Sequence, residues 1–202
     1  MKRYGMIGVN GKKIPINDMI RNVFWNKWKR GFKVNYGEIK KCDIANGEGV
    51  RVALFVSGCR HHCKGCFNSE TWDFQYGVPF TEETKEKILE LLKPGYIQGF
   101  TLLGGEPFEP ENQKVLVHLL KEIRNTYPQK DIWCYSGYLF DKDMVPGGKI
   151  YTPFTDRMLS CIDVLVDGEF IQELKNLSLQ FRGSSNQRIL HLKDGKLIKE
   201  GL

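Results

Sequence analysis

Short apolar runs recur along the chain between longer segments of mixed polarity. Four of these runs are rich in β-branched, aromatic or leucine side chains, and each is followed by glycine or polar residues. Runs of this length and composition are typical of strands buried on both faces of a sheet. The pattern therefore predicts four strands, at Val52–Val56, Phe100–Leu103, Asp131–Tyr135 and Val164–Val166.

Segments with helical periodicity lie between or beside these strands. Thr81–Leu92 begins with a threonine suited to N-capping and is followed by a Pro-Gly pair that would end a helix. Glu111–Tyr127 places its apolar residues on one face, as a surface helix does. A short helix is expected near Phe154–Leu159. Arg188–Lys199 is expected to form a hairpin that turns at an Asp-Gly pair.

The alternation of strands and helices favours an α/β fold with a parallel sheet and crossover helices. Four such strands plus edge strands are too few for a closed eightfold barrel of about 250 residues. We therefore expect an abbreviated, open (β/α) barrel. Each strand runs into a glycine-bearing or polar loop. These loops should share the edge of the sheet at which α/β folds bind ligands.

The charge of the chain is unevenly distributed. The 202 residues carry a formal net charge of +6, of which residues 1–41 contribute +9 and the remainder −3. We therefore separate a basic and aromatic N-terminal extension, residues 1–33, from a main domain, residues 34–202. Residues 21–33 combine five basic with four aromatic side chains, which is compatible with an interaction arm or with a short amphipathic helix. Because the main domain is mildly acidic, no nucleic-acid partner is expected.

The composition also bears on the compartment. No run of about 18 apolar residues is present, and the N-terminus lacks the pattern of a secretory signal, so we expect neither a membrane span nor secretion. Six cysteines, three of them clustered, indicate metal chemistry in a reducing compartment rather than a disulfide framework. The expected location is the cytoplasm.

Three cysteines follow the first of the four predicted strands, at Cys59, Cys63 and Cys66. Thiolates gathered in one short loop select zinc or an iron–sulfur cluster. Zinc usually takes four protein ligands, and the fourth would have to come from His61, His62 or Cys42. A [4Fe–4S] cluster held by three thiolates would instead leave one iron open. The sequence Gly104-Gly105-Glu106-Pro107, which follows the next strand on the same expected edge, favours the cluster.

These motifs resemble those of a known superfamily. The spacing Cys59-x3-Cys63-x2-Cys66 and the Gly104–Pro107 element are similar to the cluster and cofactor motifs of the radical S-adenosylmethionine (SAM) superfamily. Within it, residues 34–193 resemble the family that activates anaerobic ribonucleoside-triphosphate reductase. Gly65 departs from the superfamily, in which an aromatic residue is common at this position, but suits the narrower family. The residues that carry this closer resemblance are Asn46–Arg51, Phe55–Cys59, Cys63–Asn68, Thr71-Trp72, Asp131–Trp133, Ser136–Tyr138, Val164–Phe170 and Arg182–Gln187.

The resemblance implies a set of cofactors and ligands. Cys59, Cys63 and Cys66 would hold three irons of a [4Fe–4S] cluster, and the fourth iron would bind the amino and carboxylate groups of SAM. Gly104, Gly105 and Glu106 would receive the methionine ammonium. Gly65 and Phe67, which flank the last cysteine, would contact SAM. Ser136 and Asp167 are candidates for contacts to its ribose or carboxylate.

The resemblance also implies a reaction and partners. Reductive cleavage of SAM would yield a radical that removes hydrogen from a glycine Cα of the reductase, leaving a glycyl radical. Reduced flavodoxin or ferredoxin is the implied electron donor. The alternatives are an activase of another glycyl-radical enzyme, a small-molecule radical SAM synthase, and a zinc-stabilised binding module.

The other candidate residues receive simpler interpretations. Cys134 and Cys161 are expected to be buried, and His118 and His191 to be structural. His61 and His62 could tune a cluster through hydrogen bonds or simply be exposed to solvent. The loop Arg182–Gln187 fits a capped turn equally well as a seat for SAM or for the partner's glycine segment.

Overall fold

The computed structural model describes residues 6–9, 12–15 and 34–202, and of residues 6–9 and 12–15 only the backbone. Strand β1 (Met6–Val9) pairs antiparallel with β2 (Lys12–Pro15), within a unit that ends at Lys33. The arm or helix predicted for residues 21–33 lies outside the described residues. Residues 34–202 form a second compact unit, which carries the sheet and helices described next.

The second unit is built on one eight-stranded sheet. Its strands are β3 (Asn35–Asp43), β4 (Arg51–Val56), β5 (Val78–Pro79), β6 (Gly99–Gly104), β7 (Asp131–Tyr135), β8 (Val164–Asp167), β9 (Arg188–Lys193) and β10 (Lys196–Glu200). Their order is β10-β9-β8-β7-β6-β4-β3-β5, so β5 and β10 are the edges. The sheet is open, and it is part of a mixed α/β fold.

The expectation of a parallel sheet is correct for the centre and wrong for the flanks. Strands β4, β6, β7 and β8 run parallel, whereas β3, β5, β9 and β10 pair antiparallel with their neighbours. Strand β3 was not predicted, because most of its side chains are exposed or half-buried and its sequence contains no apolar run. The β9–β10 hairpin is confirmed.

Three α-helices connect the strands: α1 (Glu82–Leu92), α2 (Pro110–Thr126) and α3 (Thr155–Leu159). Thr81 caps α1 as predicted, since its side chain accepts a hydrogen bond from the backbone N–H of Thr84. All three helices lie within one residue of the predicted ranges. None of the described helices is long and apolar enough to cross a membrane.

A buried arginine fixes the start of the parallel strands. Arg51, the first residue of β4, is fully buried and pairs with Asp131 at the start of β7, with 2.7 Å between Nη1 and Oδ1. Its Nε also donates to Thr101 Oγ1 at 2.7 Å. Because a buried charge is costly unless it is paired, these contacts hold β4, β6 and β7 in one register. The opposite ends of the same strands remain available for a site.

Candidate functional site

A cavity of about 390 Å³ lies where the parallel strands end. All four loops that follow β4, β6, β7 and β8 contribute to its wall, as the sequence predicts for parallel strands. It brings together nine of the ten residues expected at the site: Cys59, Cys63, Gly65, Cys66, Phe67, Gly104, Gly105, Glu106 and Ser136. The tenth, Asp167, is not among the lining residues.

The two glycines after β6 allow this loop to pack directly on the cysteine loop. Gly104 has φ +114°, and a Cβ there would lie 2.5 Å from the backbone nitrogen of Val56. A Cβ on Gly105 would lie 2.7 Å from the carbonyl oxygen of Gly58. The backbone N–H of Gly105 donates to the Val56 carbonyl at 2.7 Å. Only glycine fits here, because neighbouring backbone occupies the place of the side chain.

Glu106 ties the loop after β6 to the loop after β7. Its carboxylate is 1% exposed and accepts hydrogen bonds from Ser136 Oγ at 2.9 Å and from the Gly137 N–H at 2.7 Å. A third bond comes from the backbone N–H of Phe108 at 2.8 Å. His61 Nε2 lies 3.4 Å away, outside hydrogen-bonding geometry. Ser136 is therefore engaged by Glu106, and both residues line the cavity.

A second buried carboxylate, Glu109, anchors the cysteine loop through Arg60, the residue that follows Cys59. It accepts hydrogen bonds from the backbone N–H of Arg60 at 2.9 Å and from Tyr138 Oη at 3.2 Å, and it pairs with the Arg60 guanidinium. Arg60 also pairs with Glu111 at 2.8 Å, but both of these side chains are about half exposed. Sequence reasoning missed Glu109, whose only signal is its place between the Gly104–Pro107 element and helix α2.

The three thiols of the cysteine loop are free, with Cys59 buried and the other two half-buried. Burial raises the pKa of the Cys59 thiol to about 12, and the nearby carboxylate of Glu106 adds to the rise. Burial also raises the pKa of Cys63 to about 11, with Glu169 Oε1 at 3.7 Å from its sulfur. A metal or cluster must therefore displace protons from these thiols when it binds.

In residues 34–202, no three His, Cys, Asp or Glu side chains already stand close enough to hold a metal ion. Cys42 is exposed on β3 and does not line the cavity, and His62 stacks on Trp72 with 4.7 Å between ring centroids. Of the three residues that could supply a fourth zinc ligand, only His61 therefore lies at the cavity, where its Nε2 is buried without a hydrogen-bond partner. Three cysteines around one cavity still provide the donor type that an iron–sulfur cluster needs.

Unpaired polar atoms also collect at this cavity. Seven buried side-chain nitrogen or oxygen atoms in residues 34–202 have no hydrogen-bond partner, although one of them, Asp131 Oδ1, is ion-paired with Arg51. Three of them belong to residues of the cavity wall, namely His61 Nε2, Tyr135 Oη and Arg182 Nε. Because native proteins pair nearly all buried polar groups, this concentration fits a site that receives a polar ligand.

Asp167 supports the neighbouring loop and does not border the cavity. Both of its oxygens are taken, Oδ1 by Arg188 Nε at 2.9 Å and Oδ2 by Arg188 Nη2 and the Phe140 N–H. The side chain is fully buried. Its role as a ligand contact stays a prediction, and its pairing with Arg188 is a contact that the sequence motif did not indicate.

The loop Arg182–Gln187 forms the expected capped turn, while its role as a seat for SAM or for the partner's glycine segment stays a prediction. It is a capped turn, since Gln187 Oε1 accepts from the backbone N–H groups of Gly183 and Ser184 at 2.8 and 3.1 Å. Arg182, Gly183 and Gln187 also line the cavity. Cys134 and Cys161 are buried as predicted, and His118 and His191 lie outside the cavity wall.

Comparisons with known proteins identify the family of the chain. Residues 45–190 match the family described as 4Fe-4S single cluster domain, which places the chain in a class of iron–sulfur proteins. Similar proteins named anaerobic ribonucleoside-triphosphate reductase-activating protein occur in Escherichia coli (strain K12), with 41% identity over 79% of this chain and 100% of the relative, and in Enterobacteria phage T4, with 39% identity over 80% and 97%. A relative of that name in Haemophilus influenzae is 42% identical over 78% of this chain and 97% of the relative's length. The chain belongs to this family of activating proteins.

Proposed function

We propose that this protein activates an anaerobic ribonucleoside-triphosphate reductase as a radical SAM enzyme. The observation that carries the proposal is the cavity at the strand ends, where Cys59, Cys63 and Cys66 share one wall with Gly104–Glu106. Membership of the activating-protein family supports the partner. The 4Fe-4S family description supports the cluster.

The chain's own residues would bind two cofactors. The three cysteines would hold three irons of a [4Fe–4S] cluster and leave the fourth for the amino and carboxylate groups of SAM. Once supplied with an electron, cluster and SAM together would yield methionine and a 5′-deoxyadenosyl radical, which takes a hydrogen atom from a glycine Cα of the reductase. Reduced flavodoxin or ferredoxin would be the electron donor, and the reaction would take place in an anaerobic cytoplasm.

The wall residues would orient the ligand and keep the site in shape. Gly104 and Gly105 would keep the loop after β6 packed against the cysteine loop, because a side chain at either position would meet the backbone of Val56 or Gly58. Glu106 offers a negative charge for the methionine ammonium while its bonds to Ser136 and Gly137 fix its position. Glu109 would hold the cysteine loop through Arg60.

Electron paramagnetic resonance tests the proposal. Protein reconstituted anaerobically with iron and sulfide and reduced with dithionite should give a [4Fe–4S] signal that changes when SAM is added. The reductase mixed with this protein and SAM should then give a glycyl-radical signal. The Cys63→Ala variant should lose the cluster signal, whereas Cys134→Ala, which removes a buried thiol elsewhere, should keep it.

Two outcomes would contradict the proposal. Stoichiometric zinc with no iron or acid-labile sulfide after reconstitution would instead support a structural metal site. SAM cleavage without a radical on the reductase would instead support a small-molecule enzyme or the activase of another glycyl-radical enzyme.

A further inference from the structure

Two unpaired polar groups belong to one part of the cavity wall. Tyr135 ends strand β7, and its hydroxyl is buried without a partner. Phe181 and Tyr135 pack on the same apolar cluster, and Phe181 meets Trp133 edge to face at 5.1 Å. Arg182 follows directly. Its Nη1 donates to the Gln187 carbonyl at 2.9 Å, whereas its Nε is buried without a partner. Tyr135, Phe181 and Arg182 all line the cavity, and this part of its wall, formed by β7 and the segment after β8, is called the aromatic surface below.

The chemistry of this surface selects a particular kind of ligand. A tyrosine hydroxyl donates or accepts a hydrogen bond, whereas an arginine Nε only donates. Around them the wall is apolar, with Leu103, Phe170 and Phe181 among its residues. A flat ring with apolar faces and hydrogen-bond acceptors on its edge satisfies both features. A purine nucleoside is such a group, whereas a charged amino acid is not.

The rest of the cavity is suited to the other end of SAM. Glu106 and the cysteines lie in the loops after β6 and β4, where charged amino and carboxylate groups find both a carboxylate and a metal-binding loop. Gly65 offers no side chain for stacking, since its φ is +74° and a Cβ would lie 2.0 Å from Gln172 Oε1. Phe67 and Trp72 also line the cavity on the cysteine side, but neither carries an unpaired buried polar atom, whereas Tyr135 and Arg182 both do.

We infer that Tyr135 and Arg182 hold the adenosine portion of SAM through the Tyr135 hydroxyl and the Arg182 Nε–H. The inference rests on the function proposed above and adds two binding residues to it. These residues would position the cofactor through its nucleoside end and would leave the cluster and the methionine end to other residues. Their loss should therefore weaken binding without changing how the amino-acid end meets the iron.

The test separates affinity from coordination. Reconstituted, reduced full-length protein is titrated with SAM, and the change in the cluster's resonance signal is followed. In Tyr135→Phe the half-saturating SAM concentration should rise about tenfold, as expected for one lost hydrogen bond. In Arg182→Lys, which also loses the bond to the Gln187 carbonyl, it should rise at least as much. The shape of the signal at saturating SAM should equal that of the wild type. Competition by 5′-deoxyadenosine, which lacks the amino acid, should weaken by the same factor.

Tyr127→Phe provides the matched control. The Tyr127 hydroxyl donates to the Leu89 carbonyl at 2.9 Å and lies outside the cavity wall. This variant should bind SAM like the wild type but melt at a lower temperature, because it loses a satisfied hydrogen bond. Tyr135→Phe should show the reverse, with weaker SAM binding and an unchanged melting temperature, since its hydroxyl has no partner in the protein.

Several results would overturn the inference. Wild-type SAM affinity in both Tyr135→Phe and Arg182→Lys would do so while leaving the proposed function intact. An altered signal shape at unchanged affinity would place the two residues at the methionine end. Weaker ATP binding with unchanged SAM affinity would assign the surface to a free nucleotide. If SAM does not change the resonance signal of the wild-type protein, the proposed function fails and this inference fails with it.

Discussion

Replacing Glu109 by glutamine should loosen the cysteine loop. The carboxylate is 1% exposed and accepts two hydrogen bonds, from the Arg60 N–H at 2.9 Å and from Tyr138 Oη at 3.2 Å. A hydrogen bond to a charged group contributes about 1 kcal/mol more than a neutral one, so the loss for two bonds is about 2 kcal/mol. The pairing with the Arg60 guanidinium adds little, because that side chain is 52% exposed.

Glu111→Gln is the matched control for this prediction. Glu111 pairs with the same guanidinium at 2.8 Å, but its side chain is 48% exposed. Exposed ion pairs contribute less than about 1 kcal/mol. Both variants therefore lose one negative charge opposite Arg60, and only Glu109→Gln loses a buried acceptor for the cysteine loop. A comparison of the two separates positioning of the loop from simple charge neutralisation.

Differential scanning calorimetry of the cluster-free protein measures the effect. For a unit of this size, about 2 kcal/mol corresponds to a fall in Tm of about 4–8 °C for Glu109→Gln. Glu111→Gln, which loses less than about 1 kcal/mol, should shift Tm by less than about 2–4 °C. After reconstitution, Glu109→Gln should also release its iron faster to a chelator. Equal shifts in the two variants, or none in either, would refute the assignment of Glu109 as the anchor of the cysteine loop.

Three further predictions concern the glycine turn after β6, the cluster ligands and the N-terminal extension. Gly104→Ala should lower the free energy of unfolding, measured in urea, by at least about 2 kcal/mol, because φ is +114° and the Cβ meets Val56 N at 2.5 Å; no loss would show that the loop can shift. Cys66→Ala should lose its iron while Cys161→Ala keeps it, and equal iron content would contradict the ligand assignment. Deletion of residues 1–33 should leave SAM cleavage intact; loss of cleavage with the cluster still assembled would place that segment in the catalytic body.

The sequence predicted those strands and helix ends that depend on side chains close together in the chain. The parallel strands β4, β6, β7 and β8 are short apolar runs, and each was predicted to within one residue at either end. The N-cap at Thr81 follows from the chemistry of one side chain and the N–H three residues on. Strand β3 had no such signal, since its place depends on pairing with β4 and β5 and not on its own burial.

The residues of the site also fall into a group that the sequence predicted and a group that it did not. Cysteine spacing and the Gly-Gly-Glu-Pro sequence identified residues that line one cavity, because strand ends bring their loops together. Contacts between distant segments could not be read from either motif. Glu109 and Arg60 are 49 residues apart, and Asp167 meets Arg188 across two antiparallel strands. Such pairs have no sequence spacing of their own, so only the folded chain reveals them.

This difference explains why the motif residues and the cavity residues are not the same set. A motif places a side chain at a strand end, but neighbouring partners decide whether that side chain is left for a ligand. Asp167 stands at such an end and has both oxygens engaged by protein groups, whereas Tyr135, one residue before a motif serine, has a buried hydroxyl without any. A ligand gains more from an unpaired group than from one already satisfied. We therefore expect a ligand in this cavity to contact Tyr135 rather than Asp167.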